Sequence, residues 1–373
     1  MKKILFLTGT RADFGKIKSL ISVLDIHPDF EVFVFVTGMH LQKEYGYTLL
    51  EIERSNFNNI HTFENHTHET TMDLTLAKTI EGLSSYCKKV HPDLIVVHGD
   101  RVETLAGAIV GSLNNILVAH IEGGELSGTV DELIRHSVSK LSHIHFVSND
   151  AAAKRLLQMG EMESSIFTIG SPDIDIMFSD LLPDLETVKS YYEIYFENHA
   201  IVMFHPVTTE SREMQKYTNN FVNALLKDFH NYVVIYPNND LGSQCIIEEY
   251  KKLENNPRFR IFPSLRFEYF LALLKNSQYI IGNSSAGIRE APYYNIPIIN
   301  IGTRQQNRAV QADIINVDYV EQNILDALKS IDYHEVVQSD TFFGKGNSAQ
   351  LFLESIENYD FWLINHQKQF RDI

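Results

Sequence analysis

The sequence predicts an α/β protein made of two open, doubly wound parallel sheets. Three observations carry this. Short apolar runs alternate with longer amphipathic stretches; the runs are rich in Val, Ile and Phe and mostly lack apolar–polar alternation; and the whole pattern restarts half-way along the chain. Strands covered by helices on both faces read in this way.

In the first half the predicted strands are Ile4–Thr8, Val32–Thr37, Leu94–His98, Leu117–Glu122 and Ile144–Ser148, with helices such as Lys16–Leu24 and Thr104–Leu113 between them. The opening Met1-Lys2-Lys3 and its apolar run are too short for an export signal and break at once into Thr10-Arg11-Ala12-Asp13, with no cleavage pattern. They read as a first buried strand. Gly170-Ser171-Pro172-Asp173 is a turn signal and places the first boundary, giving a domain of residues 1–171. In the second domain, 172–347, Ile201–Phe204, Val233–Tyr236, Tyr279–Gly282 and Ile298–Ile301 are predicted strands, and Asn219–Lys227 and Phe267–Lys275 helices. Residues 348–373 read as a helical segment, Ser348–Phe370 with the only tryptophan, Trp362, expected to pack back on the first domain.

The bulk numbers agree. A chain of 373 residues suits two domains. A formal net charge of −16 argues against a general nucleic-acid binder, yet leaves room for a phosphorylated small ligand held by a local cluster of cations and N–H groups. Cys87 and Cys245 have no paired spacing, so both are expected as packed thiols in a reducing, cytoplasmic compartment. No window approaches the ~20 apolar residues of a membrane span.

Ligands of open α/β sheets bind beyond the carboxyl ends of the strands, so the chemistry is expected there. The turn Gly9-Thr10-Arg11-Ala12-Asp13-Phe14-Gly15-Lys16 is not a P-loop: its glycine spacing is one residue too long and Ile17 follows the lysine. It reads either as a phosphate-facing turn carrying Arg11 or as a plain turn with a surface arginine. Gly99-Asp100-Arg101 follows another strand; taken alone, Asp100 reads more readily as a helix cap than as a site residue. The run from His120 through Glu122, Gly123, Gly124 and Glu125 to Asp131, Glu132, Arg135 and His136 is the densest in unusual residues. Glu122 leaves a buried strand, where carboxylates are rare unless paired or functional. Close carboxylates push each other's pKa values apart, which makes an acid and a base from one residue type. The structural alternative is an ion-pair network with Arg101 and Arg135.

In the second half, His205 ends a strand as a core residue or a phosphate contact. Gly282-Asn283-Ser284-Ser285-Ala286-Gly287 leads from a strand into a helix and forms a candidate diphosphate seat. Glu290, placed inside that helix, suits ribose hydroxyls, and Arg304 and Arg308 offer cations. His61, His66 and His68 lie in a polar, Thr-rich stretch read as a mobile loop rather than a metal site. No metal site and no nicotinamide fingerprint is expected, and no cofactor.

Together these segments, with Thr37–His40, Phe204–Thr209 and Tyr236–Asp240, resemble the hydrolysing UDP-N-acetylglucosamine 2-epimerases of bacterial sialic acid synthesis. Gly9-Thr10-Arg11-Ala12-Asp13 and the loop Glu122–Thr129 resemble the hydrolysing rather than the non-hydrolysing subtype. The resemblance runs to about residue 310. It implies a GT-B architecture, two Rossmann-like domains facing across a cleft, with UDP on the second and the sugar over the first. It implies Asp100, Glu122 and Asp131 as catalytic carboxylates. Arg11, Arg101, Arg135, His136, His205, Asn239, Ser284, Ser285, Gly287, Glu290, Arg304 and Arg308 are the expected substrate contacts. It also implies N-acetylmannosamine as product and a homo-oligomer, a dimer or tetramer, with neither nucleic acid nor membrane as partner. The alternatives are a UDP-diacetamido-dideoxy sugar as substrate, as in legionaminic acid synthesis, or a glycosyltransferase of the same architecture. A non-catalytic sugar-binding protein is a third class, and the N-terminus speaks against its usual export.

Overall fold

The computed structural model describes residues 1–66, 71–126, 130–179, 182–238, 240–305, 314–331 and 342–371. The chain divides into two units. The first comprises Met1–Glu125, Asp131–Ser179 and Phe342–Ile373; the second comprises Asp180–Thr341 together with Leu126–Val130.

In chain order the first unit begins β1 (Lys2–Thr8), α1 (Arg11–Asp25), β2 (Phe30–Val36), α2 (Leu49–Glu53), β3 (Ile60–Thr62), α3 (Met72–Val90) and β4 (Leu94–His98). It goes on with α4 (Val102–Leu113), β5 (Leu117–Ile121), α5 (Val130–Leu141), β6 (Ile144–Val147), α6 (Asp150–Gln158), β7 (Ile166–Thr168) and α7 (Pro172–Met177). Among the described residues its sheet has the order β3-β2-β1-β4-β5-β6-β7, and every pairing is parallel. The order reverses between β1 and β4, which opens a crevice at their carboxyl ends.

The second unit runs α8 (Leu185–Tyr192), β8 (Ala200–Met203), α9 (Met214–Lys227), β9 (Tyr232–Ile235), α10 (Ser243–Tyr250), β10 (Phe259–Phe262), α11 (Phe267–Lys275), β11 (Ile280–Gly282), α12 (Ala286–Arg289), β12 (Ile298–Ile301), β13 (Ile314–Val317) and α13 (Glu321–Ile331). Its parallel sheet, β10-β9-β8-β11-β12-β13, repeats the same winding, with the switch between β8 and β11. A final helix, α14 (Ser348–Glu357), belongs to the first unit.

Local chemistry starts the helices. Thr10 caps α1, its hydroxyl accepting from the Asp13 N–H at 3.2 Å, and Asn149 caps α6, accepting from the Ala152 N–H at 2.9 Å. The apolar stripe Phe14, Ile17, Leu20, Ile21 and Leu24 then packs α1 onto one face of the first sheet, with Ile4, Phe6 and Phe352 of α14. The other face, with Leu5, Leu7, Val97 and Val118, carries Ile134 and Val138 of α5. Alternate residues of each strand thus feed two separate cores.

Four strands were not expected: β3, β7, β10 and β13. The first two are three residues long and the others four, and most of their residues are only half-buried, so they lack the long apolar run that marks the central strands. His61 lies on β3, not in a mobile loop, and stacks on Tyr86 with ring centroids 4.1 Å apart. His68 lies outside the described residues. The first unit extends past 171 because α7 packs with α1: Lys16 Nζ lies 3.1 Å from Asp173, and the Ser19 hydroxyl donates to the Pro172 carbonyl at 3.5 Å. Residues from 342 also belong there, since the Ser348 and Ala349 N–H groups donate to Asp175 at 2.8 and 2.7 Å. The terminal helix is shorter than expected. It stops at Glu357, and Asn358 caps a single 3₁₀ stretch, Tyr359–Leu363.

Candidate active site

In the first unit, β1 and β4 deliver Asp13 and His98 to the two sides of the switch point. The Asp13 carboxylate lies 3.3 Å from His98 Nδ1, and His98 Nε2 lies 3.1 Å from Glu122 beyond β5. Glu122 adopts φ 64°, a left-handed conformation uncommon for a residue with a side chain. Its carboxylate is buried, accepts from the Ser171 hydroxyl and lies 3.7 Å from Lys16 Nζ. Burial disfavours a charge on His98, yet the carboxylates of Glu122 and Asp13 outweigh it and raise the imidazole to about 9. Burial likewise acts to raise Asp13, but the bond from His98 and the nearby cations leave it below the usual carboxylate range. Neighbouring His40 is driven by burial to about 3 and sits between the hydroxyls of Thr8 and Thr48, at 3.0 and 2.7 Å.

Asp100 stands past β4, and Arg135 on α5 ties it down. One amino group of Arg135 donates to the Asp100 carboxylate, the other to the Glu122 carbonyl at 2.6 Å. Asp131 lies in the first turn of the same helix, one turn before Arg135. His136 pairs with Glu132 at 3.3 Å. The three expected carboxylates therefore come from two adjacent strand ends and the start of the helix that follows. The glycine pair answers to packing from inside: a Cβ on Gly123 would lie 2.9 Å from His120 Nδ1, and one on Gly124, at φ 75°, 2.4 Å from the Ala152 carbonyl. His120 itself bridges the Gly99 carbonyl (2.8 Å) and the Ser139 hydroxyl (3.1 Å). Arg11 pairs with Glu51, and Arg101 Nε donates to Glu103 at 3.4 Å. Sequence reasoning missed the buried charge cluster Asp13, Lys16, His98, Ser171 and Asp173. Its one signal was a histidine ending an otherwise apolar strand.

In the second unit, His205 follows β8 and Asn283 follows β11, again on either side of the switch. The Asn283 amide clasps the His205 backbone, accepting from its N–H at 2.6 Å and donating to its carbonyl at 2.9 Å. His205 Nδ1 accepts from the Asn238 N–H at 3.1 Å, which puts the proton of the neutral ring on Nε2. Arg304 and Gln305 both donate to the Asn283 carbonyl, at 3.1 and 2.8 Å. Thus Arg304 is drawn to His205 and to the start of the Ser284-Ser285 turn. The Ser284 hydroxyl accepts from the Ala286 N–H at 3.3 Å. The helix expected here is only the four-residue α12, because Pro292 diverts the chain into a 3₁₀ turn at Ala291–Tyr294. Glu290 consequently ends α12 instead of lying inside a helix. Gly287 lies flat on the sheet, where a Cβ would approach Ile298 to 3.3 Å. Asn239 and Arg308 lie outside the described residues.

The family model for UDP-N-acetylglucosamine 2-epimerase matches residues 22–357. The chain belongs to the UDP-N-acetylglucosamine 2-epimerase family. A UDP-N-acetylglucosamine 2-epimerase of Neisseria meningitidis serogroup B is 49% identical over 376 residues, covering 100% of both chains. The hydrolysing UDP-N,N'-diacetylbacillosamine 2-epimerase of Legionella pneumophila is 32% identical and covers 94% of each. The fold matches UDP-GlcNAc 2-epimerase of Methanocaldococcus jannaschii, solved with UDP-GlcNAc and UDP: TM-score 0.82, 21% identity, 96% of this chain and 99% of that one. Two parallel sheets flanked by helices, the GT-B-like class, are thus the fold of this epimerase-family enzyme. Among the described residues no helix is long and apolar enough to cross a membrane, and no group of three or more His, Cys, Asp or Glu side chains is placed to hold a metal ion.

Proposed function

We propose that this epimerase-family enzyme acts on UDP-N-acetylglucosamine and releases free N-acetylmannosamine and UDP, in sialic acid and cell-surface polysaccharide synthesis. The observation that carries the reading is the Arg135 staple: it draws the Asp100 side chain and the Glu122 backbone onto the helix that opens with Asp131. The N. meningitidis relative points to the substrate and the L. pneumophila relative to hydrolysis.

The chemistry follows from the substrate. The C2 proton is not next to a carbonyl, so loss of the nucleotide must drive its removal. The C1–O bond to the diphosphate breaks, a carboxylate takes the C2 proton, and a glycal with a C1=C2 double bond forms. Water then adds its oxygen to C1 while a carboxyl group returns a proton to C2 from the opposite face. Cations stand beside two of the three carboxylates: His98 and Lys16 beside Glu122, and Arg135 beside Asp100. In the second unit, His205, Ser284, Ser285 and Arg304, with Arg308, Asn239 and Glu290, receive the nucleotide, whose departing charge needs preorganised donors. Arg11, Arg101 and His136 complete the proposed contacts.

Proton NMR of the full chain with UDP-N-acetylglucosamine and no acceptor tests this. The expected products are UDP and N-acetylmannosamine. Accumulation of intact UDP-N-acetylmannosamine would assign the non-hydrolysing reaction instead. Release of sugar only from a UDP-diacetamido-dideoxy substrate would favour the second reading, which the L. pneumophila relative supports.

A further inference from the structure

Residues 358–371 pass across the amino-terminal end of the first sheet. After Phe361, which packs beside Phe146 and Phe167 on the α14 face, the tail turns around the amino ends of β5 and β6. His366 Nδ1 lies 2.8 Å from the carbonyl of Asn115, just ahead of β5. The His366 carbonyl lies 2.8 Å from Nε2 of His143, just ahead of β6. The tail then reaches the α5 face. Lys368 Nζ donates to the carbonyls of Ser139 and Ser142, at 3.2 and 2.6 Å, and to the carboxylate of Glu161.

Ser139 and Ser142 mark the end of α5, where the last carbonyls have no partner within the helix and carry its negative pole. Lys368 supplies both a donor and a positive charge there. Glu161 is a shared anchor: it also holds Lys140 of α5 at 2.7 Å and His145 of β6 at 3.0 Å, and its backbone carbonyl accepts from Arg371 at 2.9 Å. Burial acts to raise the Glu161 acid, but these donors hold it down at about 2, so the anchor stays charged across the working range.

A twelve-residue helix is a rod about 18 Å long. Asp131 lies in its first turn and Arg135 at its middle; its far end is the one the tail grips. We propose that the C-terminal tail, through Lys368 on Glu161 and the α5 carbonyls, is a positioning element that sets where α5 presents Asp131 and Arg135. This rests on the function proposed above.

The test is steady-state kinetics on the full-length chain. Lys368→Met is expected to lower kcat about tenfold with KM for UDP-N-acetylglucosamine within about twofold, and Lys368→Arg to recover most of the loss. Should Lys368→Met fail to fold, the double variant Glu161→Gln/Lys368→Met removes both charges while the Gln carbonyl still offers an acceptor to Lys140 and His145; it is expected to fold and remain slow. Ile356→Ala loosens the opposite face, and at a matched loss of melting temperature it should keep its kcat well below its melting range. A folded Lys368→Met or double variant with wild-type kcat overturns the proposal, as does an equal kcat loss in Ile356→Ala. If Asp131→Asn turns over normally, the catalytic reading has failed instead; if Asp131→Asn is slow and Lys368→Met is fast, only the positioning role has failed.

Discussion

Arg135 joins the Asp100 side chain, beyond one central strand, to α5, and its second amino group reaches the Glu122 carbonyl beyond the next strand. A buried guanidinium is costly unless it is paired, and here two acceptors from adjacent strand ends take its two terminal amino groups. Arg135→Met takes the guanidinium away from Asp100 and from the Glu122 carbonyl and should destabilise the fold by ~3 kcal/mol. Arg135→Lys keeps the charge but has no planar fork to reach both acceptors, so turnover should fall by roughly 10–100-fold with smaller loss of stability. Chemical denaturation and kcat measure the two effects; wild-type values for both variants would deny the staple any role.

Asp100→Asn and Asp131→Asn should each lower turnover by ~10²-fold or more, the usual size of an acid–base contribution. Near-normal rates in both would remove them from the reaction. In heavy water the wild-type product should carry deuterium at C2, read by NMR. Retention of the original hydrogen there would exclude deprotonation with solvent exchange.

The buried His98 makes stability depend on pH. Its folded value, about 9, lies above the ordinary 6.5, so its contribution is complete below 6.5 and is lost as pH rises through about 9. Comparing wild type with His98→Asn by denaturation between pH 6 and 10, the gap should be widest at the acid end and shrink toward pH 10. A constant gap would mean that the imidazole is not charged between Asp13 and Glu122.

Asn283 holds the His205 backbone and receives Arg304. Asn283→Ala removes the side-chain clasp on the His205 backbone while the residue 283 carbonyl still receives Arg304, so with His205 loosened UDP affinity should drop by about 10–100-fold, or ~1.4–2.8 kcal/mol. Calorimetric titration with UDP measures this, and unchanged affinity would place the nucleotide elsewhere.

Phe352 joins the last helix to the first sheet, 4.7 Å from the ring of Phe146 and 6.4 Å from that of Phe6. Phe352→Ala should cost about 3–5 kcal/mol, from lost transfer energy plus a cavity. A loss below 1 kcal/mol would show that α14 is dispensable to that core.

Much of this protein was legible one residue at a time. Runs such as Ile4–Thr8 and Leu94–His98 are apolar without alternation because both faces of the central strands are covered, and that pattern needs no partner to be read. The unusual residues at the strand ends, Asp100, Glu122 and Asn283, were visible for the same reason: polar side chains directly after buried runs. The edge strands β3, β7, β10 and β13 were not, because most of their residues are half-wet and their pairing comes from neighbours distant in sequence.

Strand composition and the restarted rhythm therefore settled the class of fold. Tertiary structure alone decided which charges meet. Arg11 goes to Glu51, His98 is clamped between Asp13 and Glu122, and Lys368 crosses more than two hundred positions of sequence to reach Glu161. A charged side chain is driven by the need for a partner wherever it is buried, and that partner is chosen by the path of the backbone, which no local pattern encodes.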